Sequence, residues 1–437
     1  MSPAQLWQGR NLPARWRNLP ENPFMVSAVF EDLRHRWSHE RIQQDFRQDL
    51  HPQENEYPWA ALTALVPGEA DVECAQVARQ TGSAVLTNDS DLVLHELGPD
   101  GSVVLLNSMQ LLDGDQAGSE IRALRLHPQK LCRQLGIDHL QGFAYQLQQG
   151  PQLGFLDLLR RSKEASRSKE HSSAAYYTFL QEYQQPVGLP GTAPDHPHGQ
   201  CLDPRVSELV LQYQLPEVYC CGERPHFYLG ILHEDHSRRC AWEQGRPLRA
   251  LGYSLLNLSR VATHRFPVVH EFVRRGGRIV AEQVTLAGVK TVAADLKSLR
   301  RRLDRAQSVF GGASQFSFWV LFSLSEIYRD NTNITTSPSA VQLERFLEQG
   351  FMGEKPEWED IHLMAQIHAV LYSLRILWQL LCVTLDIDDV ELSTFRHSIL
   401  ACLPPLHLLI DSRHALTRAF SGGLTHRSVK QLFTTYN

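Results

Sequence analysis

The sequence predicts an α/β fold: a small parallel-sheet domain followed by a mostly α-helical C-terminal region. Three observations predict it. A short apolar run, Ala84 to Thr87, follows a segment with helical spacing and precedes a second apolar run, Ser102 to Leu106. Acidic residues stand at the ends of that unit, in Glu69-Ala-Asp71 and in Asp89-Ser-Asp91. Past the unit, apolar residues recur at the three-and-four spacing of helices rather than the two of strands.

Taken in order, Met1 to Asn18 carries Trp, Arg and Pro without clear periodicity. Pro67 and Gly68 break what precedes them, and proline suits a helix opening. Ala70, Cys74, Ala75, Val77 and Ala78 then recur at near-helical spacing, so a helix is expected to about Gln80, ended by Thr81-Gly82. Ala84 to Thr87 is expected as a buried parallel strand. Asp89 and Asp91 follow at its carboxyl end, where open α/β sheets place ligands. Leu92 to Leu97 continues as a helix turn or short strand, Gly98-Pro-Asp-Gly101 as a turn, and Ser102 to Leu106 as a second strand.

The acids have a bland explanation as well as a functional one. Carboxylates in a first helical turn are favoured by the helix dipole, and Asp, Asn and Ser are common in the turn after a strand. In a regular helix Glu69 and Asp71 do not face each other, so either Glu69 lies in a distorted first turn or Glu69 and Glu73 share a face. Both acidic pairs flanking one short strand favour a shared role. Hard divalent cations such as Mg²⁺ need oxygen ligands held in place, and phosphodiester hydrolysis is the chemistry they serve.

Gly68-Glu69-Ala-Asp71 and Ala84-Val-Leu-Thr-Asn-Asp89-Ser-Asp91-Leu resemble the internal region of the flap endonuclease/XPG nucleases. The closer resemblance is to the XPG-like and asteroid-type proteins of fungi. Leu19-Pro-Glu-Asn-Pro-Phe24 looks like their lead-in segment, and Ser237 to Trp242 with Arg246 to Leu256 like a downstream block. The likeness is specific over residues 19–110 and traceable to about residue 280. It implies a PIN-like parallel-sheet fold, with Glu69, Asp71, Asp89 and Asp91 as metal ligands and Asp89 and Asp91 as the catalytic pair. It also implies Mg²⁺ as cofactor, single-stranded or branched nucleic acid as partner, and a nuclear or cytoplasmic location.

Two departures from the family pattern bear on activity. No apolar strand ending in Asp precedes Glu69, so the domain is expected to begin part-way through the fold. Gln141 to Pro151 sits where the family carries a later Gly-Ser-Asp element, with Gly150 at the expected Asp. Four acids of the family's set remain, enough for one weakly held metal.

The 437 residues suffice for two or three domains. Apolar content of 43% and charged content of 21% are those of an ordinary globular chain. A net charge of −5 gives no global pull toward nucleic acid, so phosphate contacts must come from local patches. No basic start leads into an apolar run, and Phe316 to Leu324 and Ile376 to Ile387 are too short to span a bilayer, so no membrane partner is expected. Eight cysteines do not form a disulfide framework in a chain this long. Cys220, Cys221, His226, His233, His236 and Cys240 cluster, but adjacent cysteines do not readily share one tetrahedral ion. Ordinary packing is therefore favoured over zinc.

Helices are expected over His127 to Leu135, Phe155 to Arg161 and Ala294 to Ala306, the last with Leu296, Leu299 and Leu303 on one face. A long, largely buried helix or helix pair is expected from Glu357 to Asp388. Arg160 to Lys169, Arg274 to Arg278 and Lys297 to Arg305 are basic, and solvated or packed arginines are favoured there over phosphate contacts. The expected domains are a partial PIN-like domain at 1–125, a helical extension at 126–184, a Pro/Gly-rich linker at 185–204 and a mostly helical domain at 205–437. Two readings follow: a Mg²⁺-dependent structure-specific endonuclease, or a pseudo-nuclease that binds nucleic acid or protein with little or no cleavage.

Overall fold

The computed structural model describes residues 22–46, 56–60, 62–65, 70–112, 120–168, 173–181, 183, 202–213, 225–330, 342, 345–346, 357–384 and 400–410. They divide into two compact units. One holds the described residues from 70 to 183, the other those from 22 to 65 and from 202 to 410. The segment expected as a separate helical extension thus shares a unit with the sheet, and the N-terminal helices belong with the C-terminal half. Those helices are α1 (Met25–His35) and α2 (His39–Phe46).

The first unit opens with α3 (Ala70–Thr81), which buries Ala75 and Ala78. β1 (Ala84–Thr87) follows, then a 3-10 turn at Asp91–Leu94 whose Leu92, Val93 and Leu94 are core residues. The turn after it begins at Gly98, whose φ of +74° suits glycine, and an added Cβ there would lie 3.2 Å from the Arg79 carbonyl oxygen. β2 (Ser102–Leu105) pairs parallel with β1, Ala84 opposite Ser102 and Thr87 opposite Leu105.

Among the described residues of this unit, the expected parallel pairing holds for that pair only. β3 (Gln110–Leu112) and β4 (Glu120–Arg122) pair antiparallel and turn the chain back, so β5 (Arg125–Leu126) joins β2 antiparallel and the three-stranded sheet is mixed. A parallel return would need a crossover of a dozen residues or more. β1 is also not the buried strand its composition suggested. Among the described residues it pairs with β2 alone, Leu86 is 53% exposed, and β2 carries the burial instead.

Helices complete this unit: α4 (Pro128–Leu135), α5 (Leu140–Gln149), α6 (Phe155–Ser168) and α7 (Ala174–Gln181). Leu140 and Ala144 of α5 and Tyr176 and Phe179 of α7 join the sheet residues in one apolar core. Gln141 of α5 donates its side-chain amide to the Leu94 carbonyl and so ties α5 to the 3-10 turn.

The second unit is built around one long helix. α8 (Pro204–Gln212) is capped by Asp203, whose side chain accepts from the Arg205 amide, and Leu202 beside it is buried. The last residues of the expected linker are therefore packed. β6 (His226–Tyr228) comes next, then α9 (Arg246–Leu258), and then the hairpin of β7 (Val268–Arg275) and β8 (Arg278–Thr285). β6 pairs parallel with β7, and β7 antiparallel with β8. This sheet had no counterpart in the sequence reading, which expected helices here. α10 (Val289–Phe310) buries Leu296, Leu299 and Leu303 as their spacing predicted, and α11 (Gln315–Asp330) follows it.

α12 (Trp358–Thr384) is a single helix of 27 residues. It is long and apolar enough to cross a membrane, contrary to the sequence reading, but 72% of its most apolar window is buried inside the fold. Its neighbours are α9, α11 and the 3-10 turn Ala241–Gly245, which marks it as a core helix. α13 (His407–Ile410) packs on α1. Glu31 of α1 pairs with Arg375 of α12 at 2.6 Å, and Phe24 packs its ring against Trp242 and Tyr372.

Candidate metal centre

Three of the four expected ligands converge. Asp71 stands in the first turn of α3, Asp89 in the loop leaving β1, and Asp91 at the head of the 3-10 turn. One carboxylate oxygen from each lies within 4.8 Å of the others. Glu69 lies outside the described residues. Glu73, the alternative partner on the helix face, is not one of the three.

The local sequence explains the convergence. β1 ends at Thr87, and the polar run Thr-Asn-Asp-Ser-Asp that follows brings Asp89 and Asp91 close to Asp71 in the first turn of α3. The Asp89 amide donates to Thr87 Oγ1 at 2.9 Å, and the Asn107 amide donates to Asn88 Oδ1 at 2.9 Å. Such side-chain acceptors are what Thr and Asn supply in turns.

Electrostatics set the character of the cluster. Asp89 is exposed, while Asp71 and Asp91 are half-buried. Burial pushes the Asp91 carboxyl up to about 6, helped by a hydrogen bond with Asp89 and by the negative charges of Asp89 and Asp71. Asp91 Oδ1 is buried with no hydrogen-bond partner. An orphaned acceptor among like charges is costly unless a cation or proton joins it. An all-oxygen donor set with one unpaired buried oxygen fits a hard divalent ion such as Mg²⁺.

His95 was not anticipated. It is buried at the end of the same 3-10 turn, its ring meets Tyr183 edge-on at 5.5 Å, and Asp71 opposes the lowering of its pKa by burial. Asn88 was also missed, although an Asn after a strand end was a legible signal. Gly150 ends α5, and a Cβ there would lie 2.7 Å from Leu153 Cδ1, the end of a half-buried side chain.

Elsewhere the packed alternatives prevail among the described residues. Cys240 is buried and donates to Glu234 at 3.3 Å, and burial together with Glu234 pushes its thiol up to about 12. Cys220 and Cys221 lie outside the described residues. Arg274 pairs with Glu234 at 2.7 Å, Arg275 with Glu243 at 2.8 Å and with Glu282, and Arg302 with Glu326 at 2.8 Å. Arg160 pairs with Asp157 on an exposed helix face.

Comparison with curated proteins finds no match, and comparison with solved structures finds none either. The family described as XPG domain containing matches residues 21–286, more than half of the chain. That span includes the lead-in Phe24, all three converging aspartates and the hairpin of β7 and β8. The chain belongs to the XPG domain-containing family.

Proposed function

We propose that this XPG-family chain acts on single-stranded or branched nucleic acid through a divalent cation held by Asp71, Asp89 and Asp91, with weak or no cleavage. The convergence of those three carboxylates carries the reading. Glu69, two residues before Asp71, is a proposed fourth ligand. Mg²⁺ takes about six oxygens, usually several from water and phosphate, so three carboxylates suit one ion. When bound, Mg²⁺ supplies a Lewis acid for a phosphoryl oxygen. Asp71 and Asp91 would hold it from the protein side, leaving the exposed Asp89 edge toward the phosphate.

Weak cleavage is our reading because a two-metal clamp on the attacking and leaving oxygens needs ligands for both ions, and the three carboxylates that converge among the described residues, with Glu69 as a proposed fourth, suit one. The test is cleavage of flap and single-stranded substrates with Mg²⁺, comparing wild type with Asp89→Ala. Little or no turnover in either is expected. Turnover in the wild type that the substitution abolishes would establish the alternative, an active structure-specific endonuclease. Binding is read in parallel by anisotropy of a labelled flap oligonucleotide. It should strengthen with Mg²⁺ in wild type but not in an Asp71, Asp89 and Asp91 triple Asn variant.

A second reading, a protein-binding scaffold on a pseudo-nuclease fold, draws support from one observation. Arg274, Arg275 and Arg302 are matched by glutamates rather than left for phosphates. A nuclear or cytoplasmic location accords with either reading.

A further inference from the structure

Three carboxylates this close repel one another, so something must hold their backbones in place. The ladder between β1 and β2 ends at Thr87 opposite Leu105. One residue later the chains diverge, and a side chain takes over: Asn88 Oδ1 accepts from the Asn107 amide at 2.9 Å, across 19 residues of sequence. Asn107 lies in a 3-10 turn, Leu106–Ser108, that is itself anchored. Ser108 Oγ donates to the Leu105 carbonyl at 2.6 Å and accepts from the Leu124 amide at 2.8 Å, beside β5. The residue immediately before Asp89 is therefore braced against the far side of the sheet.

We infer that Asn88 is a positioning residue, whose clamp on the Asn107 amide holds Asp89 in the cation-binding arrangement with Asp71 and Asp91. The inference rests on the proposed cation site. Asn88 is exposed and fills no core space, so its loss should spare the fold while letting the Asp89 loop relax away from its neighbours. A hydrogen bond of this kind contributes modestly to stability, but here it acts on ligand geometry.

The experiment is Mn²⁺ titration, by electron paramagnetic resonance of the free ion, of the full chain and its variants. Asn88→Ala is expected to weaken Mn²⁺ binding about five- to tenfold, with an unchanged thermal midpoint and faster hydrogen exchange at the Asn107 amide. Asn88→Asp keeps an acceptor at the same place and should hold both the affinity and the slow exchange. Equal affinity in wild type and Asn88→Ala, with the wild type binding Mn²⁺ well above the triple Asn variant, would overturn the clamp alone. A wild type that binds no better than the triple variant would overturn the cation site, and this inference with it.

Discussion

Arg249 of α9 and Glu271 of β7 meet in a two-point ion pair, Nε to Oε1 at 2.6 Å and Nη2 to Oε2 at 2.9 Å, with both side chains 1% exposed. Tyr253 donates to the same carboxylate at 2.9 Å. Arg249 Nη1 also donates to the Trp242 carbonyl and to Ser373 of α12. Every face of the pair is thus satisfied, as a buried charge requires. It joins α9, β7 and α12 inside the second unit.

Breaking the pair should be costly. Glu271→Gln or Arg249→Met leaves one buried charge without its partner, which costs about 3–5 kcal/mol. Urea unfolding checks this, and a loss below about 1 kcal/mol would mean that water reaches the site. The double variant Arg249→Met with Glu271→Leu should be less destabilised than the two single losses combined, because no orphan charge remains.

Asp91 ties cation binding to pH. Its folded value of about 6 lies above the ordinary 3.8. Between those values the fold holds a proton that the unfolded chain has released. The cation-free protein therefore loses stability as pH rises through this window, and no more above it. Mn²⁺ competes with that proton, so affinity should climb over the same range and then level. Asp91→Asn removes both effects, leaving the cation-free protein more stable at neutral pH but unable to bind Mn²⁺. Urea midpoints at pH 5 and pH 7.5 decide it: wild type and variant shifting in parallel would contradict the assignment.

Two acids in the first turn of α3 should behave differently. Asp71 is one of the three converging carboxylates, whereas Glu73 is not. Asp71→Asn should weaken Mn²⁺ binding by about tenfold or more, since even changes behind the ligands have effects of that size. Glu73→Gln should leave it nearly unchanged. Equal losses would point to general negative charge rather than ligation.

α12 should respond as a core helix. Leu374 is 0% exposed, and Leu374→Ala removes packing that the surrounding helices cannot restore. A loss of about 2–5 kcal/mol is expected, read from thermal or urea unfolding. A negligible loss would argue against α12 as the centre of this unit.

Much of the candidate site was legible in the residues. Thr87-Asn-Asp89-Ser-Asp91 after an apolar run, and Asp71 at a helix start, announce themselves because strand ends and first helical turns are local events. The same locality made the leucine face of α10 and the long apolar run of α12 readable. The β6 to β8 sheet escaped notice because its aromatic and charged residues show no clean alternation. Phe227 and Glu271 are both buried there, the carboxylate only by virtue of Arg249.

Composition and spacing marked the helices α3, α4, α6, α10 and α12 and where the acids gather. Folding alone decided that β1 lies at an edge among the described strands, that Arg274 answers Glu234 across 40 positions, and that the described residues between 22 and 65 belong with the C-terminal half. The reason is physical: secondary structure reflects a residue's immediate neighbours, whereas burial and charge pairing depend on partners brought close by the path of the whole chain.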